Sequence, residues 1–523
     1  MSEFLYLYHP VEPATWFYLS SLLTIGLYFK FSRLWSVRNL DLLLLILLAP
    51  GLLFVHYGRR LDENAARMST AVASGLEQLE DGLVAGVADP ATVDSRATTS
   101  PSVEGPKPRL EDTESSHESS LEQTQGRNDA AETSAVAPGS DALTTDVTKP
   151  QTVRTRGQRI QKYGYVWLFG MGMLLLIRLL ADPTMVRRPL LEPNLSVGGL
   201  VFIGCSLFVF LMANVISRPV DVVMTVASDS QENNVDEIDN LRSKAEGPGY
   251  ALLARMPWAA RKTFAVLGHL TILVGMVLVG YRHFDSIVMG VGAAVLYLML
   301  PYTALMTNEI KHVLPGACLV WAILCYRKPL AAGTFLGLAG GMTYYSLFLL
   351  PLWLSFYWAR GLLRFSAGVL LALFVLTFVL FSSDDFLLNL RLMFGLIRPA
   401  MDPAMDGLRG LWDQNLGGWN THYRIPVLAA FVAISCSMAL WPAQKNLGTL
   451  LSCSAAVMVA TQFWHGYGGG TYMAWYLPLL LLTIFRPNLE DRVAVMVLTE
   501  GWLPKRLGRS KLVSRAAQAV VGF

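Results

Sequence analysis

Glu309 and His312 stand three positions apart in TNEIKHVLPG, a spacing that puts a carboxylate and an imidazole on one face of a helix. Di-metal carboxylate sites use that spacing twice, with further glutamates on partner helices. The other Glu-x-x-His in the chain, Glu114 with His117, lies in a polar tract of different character, so no metal is expected. Two readings remain for the pair: a polar cap at the mouth of an apolar helix, or a polar edge facing a cavity that holds a substrate headgroup. A second group of ionisable residues, Arg178, Asp182, Arg187, Arg188, Glu192 and Asn194, falls in RLLADPTMVRRPLLEPNLSVGGL. Pro183, Pro189 and Pro193 impose a rigid, non-helical connector there, so the passage reads as a shaped loop or as an interfacial turn with neutralised charges. Arg282, His283 and Asp285 mark the boundary between two apolar runs, where charge can sit at an interface. The chain has no P-loop, HExxH, GxSxG or strand-borne dinucleotide fingerprint, which removes nucleotide-driven pumping by a domain of this chain.

The elements that must position these groups centre on residues 308–364. Two apolar runs flank the basic turn Arg327-Lys328-Pro329. The second, residues 330–358, would be about 43 Å long as one helix, against a hydrocarbon core of about 30 Å. It carries Gly340-Gly341 and then Tyr344-Tyr345 in its middle. This predicts two short helices meeting at a polar-tipped break. Broken membrane helices are tolerated where the loose backbone lines a cavity or is buried in protein, so a site near the break is expected. Gly333 and Gly337 form GxxxG, which predicts close helix packing.

Composition agrees with a membrane class. Of 523 residues 53% are hydrophobic and only 15% charged, where soluble chains average about 25% charged. The net charge of +3 implies no nucleic-acid partner. Cys205, Cys318, Cys325, Cys436 and Cys453 all lie in apolar runs without ligand spacing and read as small buried apolar residues. The start, MSEFLYLYHPVEPATW, has no basic n-region or cleavage site, so its apolar run is expected to be a retained span.

Apolar runs of spanning length predict an all-α, polytopic transmembrane helix bundle of about 12–13 spans with a long disordered insert. In order these are an N-terminal transmembrane pair (1–57), the insert (58–162), a transmembrane pair with a polar connector (163–217) and a polar loop (218–262). There follow the central region with the broken helix (263–381), a long interfacial loop (382–424), C-terminal transmembrane helices (425–486) and a basic cytoplasmic tail (487–523). The insert contains no Phe, Tyr or Trp and is dominated by small polar and acidic residues, too little apolar surface to offset chain entropy, although 61–87 could form a weak amphipathic helix. Counting back from a cytoplasmic tail puts Lys445, Arg360 and Arg327-Lys328 inside, and His465, Tyr344-Tyr345 and His312 outside. The same count puts the insert outside, although Arg59, Arg60, Arg154, Arg156, Arg159 and Lys162 border it, and that conflict stays open at this level. A multi-pass protein of the plasma (inner) membrane is expected, without cofactor.

The central stretch resembles the polytopic membrane glycosyltransferases of the C-type fold, in particular the mannosyltransferase-like glycosyltransferase family 87. The likeness is carried by His312-Val-Leu-Pro315, Tyr326-Arg-Lys328, Ala332-Gly333-Thr-Phe-Leu-Gly-Leu-Ala339, Leu349-Leu-Pro351 and Arg360, and by TYMAWYLPLLLL in the last span. Where that family carries a lysine at the helix break, this chain has Thr343-Tyr344-Tyr345. The resemblance implies sugar transfer from a polyprenyl-phosphate donor, with membrane lipid as partner. It implies Asp182 as the base that deprotonates the acceptor hydroxyl. Arg187, Arg188, Glu309, His312, Tyr344, Tyr345 and His465 would then contact the substrate. The alternatives are a non-catalytic membrane scaffold tethered by the insert, and a lipid or solute transporter, which should show an internal repeat or paired broken helices. One broken helix and no repeat are read.

Overall fold

The structure is a computed structural model and describes residues 12–87, 140–185, 191–217, 248–254, 256–379, 408, 410–413, 416–466 and 468–488. Helices build it throughout these residues: α1 (Pro13–Tyr28), α2 (Val37–Val87), α3 (Ser140–Ala181), α4 (Val197–Ser217), α5 (Trp258–His283), α6 (Ile287–Met299) and α7 (Ile310–Leu324). There follow α8 (Pro329–Met342), α9 (Leu350–Tyr357), α10 (Leu362–Val379), α11 (Arg424–Ser437), α12 (Leu447–Trp464) and α13 (Leu477–Phe485). Each expected apolar run coincides with one of them.

Two compact units divide the chain, one formed by residues 1–59 and 157–523 and the other by Arg60–Arg156. In the smaller unit α2 runs on to Val87 and α3 begins at Ser140, so helix extends well into both ends of the tract expected to lack structure. A span already supplies the helical nucleus, and Leu, Ala, Glu, Met and Arg propagate it at little cost. Within that unit Arg154 and Asp62 approach to 3.5 Å, an exposed ion pair of small energetic weight. The middle of the insert (88–139), the polar loop 218–247, most of the interfacial loop and the tail beyond 488 lie outside the described residues. Of the interfacial loop, Gly410–Trp412 and Thr421–Tyr423 are 3-10 turns.

Among the described residues five helices are long and apolar enough to cross a membrane, contributed by α2, α3, α4, α5 and α12. Others are short: α6, α7 and α8 have 13, 15 and 14 residues, about 20–22 Å of helix, less than a hydrocarbon core. Their apolar character serves the interior of the bundle. Met289 to Met299 of α6 are all buried, as is every residue of α12. Leu363, Leu370 and Phe374 of α10 point outward instead, as a lipid-facing surface requires.

Glycines set the closest helix approaches. A Cβ on Gly333 would strike the carbonyl oxygen of Phe365, one on Gly337 that of Val369, and one on Gly368 that of Leu330. The GxxxG pair of α8 therefore lets α8 and α10 meet backbone to backbone, as the sequence predicts.

The helices run alternately between two ends of the larger unit. At one end, Arg38 at the start of α2 donates to the backbone oxygen of Arg486 just after α13 (2.9 Å), and the Arg486 guanidinium lies over Gly448 at the start of α12. The Asn446–Thr449 capping box begins α12 there. His283 Nε2 meets Leu324 O (2.9 Å), and the Tyr357 hydroxyl donates to Tyr326 O (2.6 Å), which aligns the ends of α5, α7 and α9. At the other end Arg59 of α2 donates to the Tyr165 hydroxyl of α3 (2.6 Å), close to Gly468 after α12. The chain thus leaves the larger unit at the end that carries His465 and returns to it there. Arg59, one of the basic residues bordering the insert, stands at that end.

Candidate functional site

The break in the 330–358 run takes the predicted form. Thr343 ends α8 with extended backbone (φ −143°, ψ 120°), a 3-10 turn spans Tyr344–Leu349, and Pro351 sits in the first turn of α9. Proline is tolerated in a first helical turn, where the amide has no helical acceptor, so the chain restarts cleanly after the break. The turn is buried: Tyr345 and Ser346 are enclosed, and Gly340 and Gly341 of α8 admit Leu347 and Leu376 against its backbone.

From this turn a continuous stack of rings crosses the end of the bundle. Tyr344 lies on Tyr345 (centroids 4.1 Å apart) and Tyr472 on His312 (4.2 Å), and His465 packs tilted between Tyr345 (4.7 Å, 35°) and Tyr472 (4.3 Å, 41°). The Tyr302 hydroxyl closes the far end on His312 Nδ1 at 2.8 Å. Trp475 flanks Tyr345 and Tyr472, at 5.4 and 4.7 Å, and its indole donates to Lys311 O. Such ring pairs contribute about 0.5–1.5 kcal/mol each beyond area burial. Four separate segments supply the stack: α7, the α8–α9 break, the turn after α12 and the entry to α13.

That turn is built for the purpose. Gly468 and Gly470 adopt left-handed φ values of 88° and 94°, which glycine takes without a steric penalty. Gln462 of α12 accepts from the amides of Gly470 and Tyr472 (3.1 and 3.3 Å), fixing where the Tyr472 ring emerges.

Two guanidinium groups adjoin the stack. The Arg59 charge acts on Tyr472, Glu309 and His312. Arg424 donates through Nε and Nη2 to Trp464 O (3.2 and 3.1 Å), and its charge reaches Tyr345. Glu309 is the N-cap residue of α7, with Lys311 Nζ 3.9 Å from its carboxylate, and its side chain stays 38% accessible. Beside Arg424 a groove of about 520 Å³ is lined by Trp419, Asn420, Tyr423, Pro426 and Val427.

The structure brings together His312, Tyr344, Tyr345 and His465, with Glu309 at the same end. It separates Asp182 from them. Asp182 is fully buried beside the first half of α12, in a 3-10 turn after α3, where Arg178 holds one oxygen (2.9 Å) and Arg486 the other (2.5 Å). Arg178 also clasps both oxygens of Asp41, at 2.6 and 2.9 Å. The Pro-rich connector after α3 is therefore the seat of an ion-pair network joining α2, α3 and α13. A general base must reach its proton through at most one water, and Asp182, with both oxygens taken by Arg178 and Arg486 away from the His465 end of α12, is not placed beside His312. Arg187 and Arg188 lie outside the described residues.

Reasoning from the sequence did not single out Arg59, Arg424, Tyr472 or Trp475 as site residues. Tyr472 and Trp475 had a signal, since both lie in the last-span motif of the resemblance. Arg59 and Arg424 had none, because each borders an apolar run and reads as an interfacial cation.

Taken together, the buried helices, the outward apolar faces and the long apolar spans define a polytopic helical membrane protein. Comparison with protein-family models, with curated proteins and with solved structures finds no match to this chain.

Proposed function

We propose that this membrane protein is a glycosyltransferase-like enzyme that takes a lipid-linked sugar at the His312–Tyr472–His465–Tyr345 stack. The single observation that carries the reading is the convergence of two histidines and two tyrosines from four segments on one buried helix break, next to Arg59 and Arg424. Aromatic faces receive the C–H faces of a sugar ring, while guanidinium groups match phosphate oxygens. Arg59 and Arg424 would supply the positive charge that the resembled family draws from a lysine at the break. In transfer, the acceptor oxygen bonds to the anomeric carbon as the bond from that carbon to the phosphate oxygen breaks. The acceptor proton passes to a base, and the departing phosphate is held by the guanidinium groups. At this end Glu309 offers an accessible carboxylate, and we assign it the role that the resemblance alone would give to Asp182.

The test is transfer by full-length protein in lipid nanodiscs, from a radiolabelled polyprenyl-phosphate sugar to a soluble acceptor. Glu309→Gln should lower turnover at least about 100-fold, within the range ascribed to general bases, while donor binding persists. Arg59→Gln should weaken donor binding. Donor bound and moved across the bilayer without transfer would replace this reading by the transporter. No donor binding at all would leave the scaffold.

A further inference from the structure

At the end opposite the stack, three turns meet. The α5–α6 turn carries Arg282, the α7–α8 turn Arg327 and Lys328, and the α9–α10 turn Arg360, followed by Arg364 in the first turn of α10. Backbone-directed contacts hold them together. His283 anchors the first to Leu324 O, Tyr357 anchors the third to Tyr326 O, and Gly361, at φ 97°, lets the third turn rest against Pro329. All of these cations are exposed, and Asp285 is the one carboxylate on the three turns. The Lys328 and Arg282 charges both act on the Cys325 thiol, so residues 46 positions apart in sequence share one small region. Exposed cations gathered this way raise the local positive potential and attract anions.

The surroundings identify the anion's source. Trp358 and Leu363, beside Arg360 and Arg364, are 75% and 84% exposed, and Tyr281 and Leu330 also face outward next to Arg282 and Lys328. Aromatic and aliphatic side chains exposed beside cations at a helix end make the profile of a membrane–water interface. A soluble anion would need no such apolar rim, whereas a phospholipid meets both parts at once.

We propose that these three turns form a binding site for the phosphate of an anionic phospholipid in the leaflet at this end, with Arg327, Lys328 and Arg360 as its principal contacts. The acyl chains lie along Leu330, Leu363 and the outward face of α10. This site is independent of the stack at the other end and of whatever reaction occurs there.

The experiment is native mass spectrometry of the full-length protein released from nanodiscs of phosphatidylcholine mixed with phosphatidylglycerol. Each basic residue near an anionic surface contributes about fivefold in affinity, so retained phosphatidylglycerol should exceed phosphatidylcholine at least about tenfold relative to the bulk lipid. The excess should fall to near parity in Arg327→Gln/Lys328→Gln/Arg360→Gln, whose altered side chains are exposed, with an unchanged melting temperature showing that the three turns still hold together. A control, Arg156→Gln/Arg159→Gln, should keep it. Raising the salt on the unaltered protein should reduce the excess progressively, a readout that needs no variant. Equal retention of the two lipids, an excess untouched by the triple substitution, or the same loss in the control would overturn the proposal.

Discussion

The His312 and Tyr472 rings lie 4.2 Å apart and within 22° of parallel, although 160 positions of sequence separate them. That contact fastens the start of α7 to the entry of α13. On its other side His312 receives the Tyr302 hydroxyl, so the imidazole is held from two directions in a site it shares with the helix break. A ring fixed this way keeps one orientation without further ordering.

Removing that hydroxyl tests the hold. Tyr302→Phe leaves a buried imidazole nitrogen without its partner and should cost about 1–3 kcal/mol of stability. A thermal unfolding scan in nanodiscs reads the loss, and His312→Phe in the same background should show less than the sum of the two single losses.

The Asp182 network makes a prediction of a different kind. Asp182→Asn keeps the volume but leaves the buried Arg178 and Arg486 guanidinium groups short of a counter-charge. Breaking a buried pair from one side costs about 3–5 kcal/mol. The variant should therefore express poorly or melt early, while the protein that survives keeps its ligand affinity at the stack. Unchanged stability together with lost activity would put Asp182 back among the reacting groups.

Gly333 and Gly368 face each other's helices with backbone in the way. Gly333→Leu should force α8 and α10 apart at a cost of at least about 1–3 kcal/mol, since overpacked sites relieve strain only by moving backbone. Leu363→Ala, on the lipid face of α10, should change the melting temperature little. Comparable losses for the two would mean that α8 and α10 are not in close contact.

Sidedness can be read chemically. In a background without the 5 native cysteines, His422→Cys and Arg360→Cys place one thiol at each end of the larger unit, both at exposed positions. An impermeant maleimide should label the first from the side that the positive-inside rule makes external, and the second from the cytoplasmic side. Labelling of both from one side would contradict the alternation of the helices.

The sequence by itself determined the material and the parts list. Low charge and long apolar runs made this a helical membrane protein, excess length with a Gly-Gly and Tyr-Tyr interruption made 330–358 a broken helix, and GxxxG made α8 a close-packing helix. All three are local properties, written in spacing and composition. Hydropathy could not say which runs meet lipid and which meet protein, because both surroundings are apolar, and so the short buried α6 looks like the outward-facing α10. Nor could it say which polar residues share an end. Asp182 and His312 were equally plausible neighbours until the lengths of α12 and α13 set them apart. Arg59 read only as a basic residue bordering the insert until packing brought it to the stack. Those choices belong to tertiary structure, since they depend on how each helix is rotated about its axis and on which helix lies beside it.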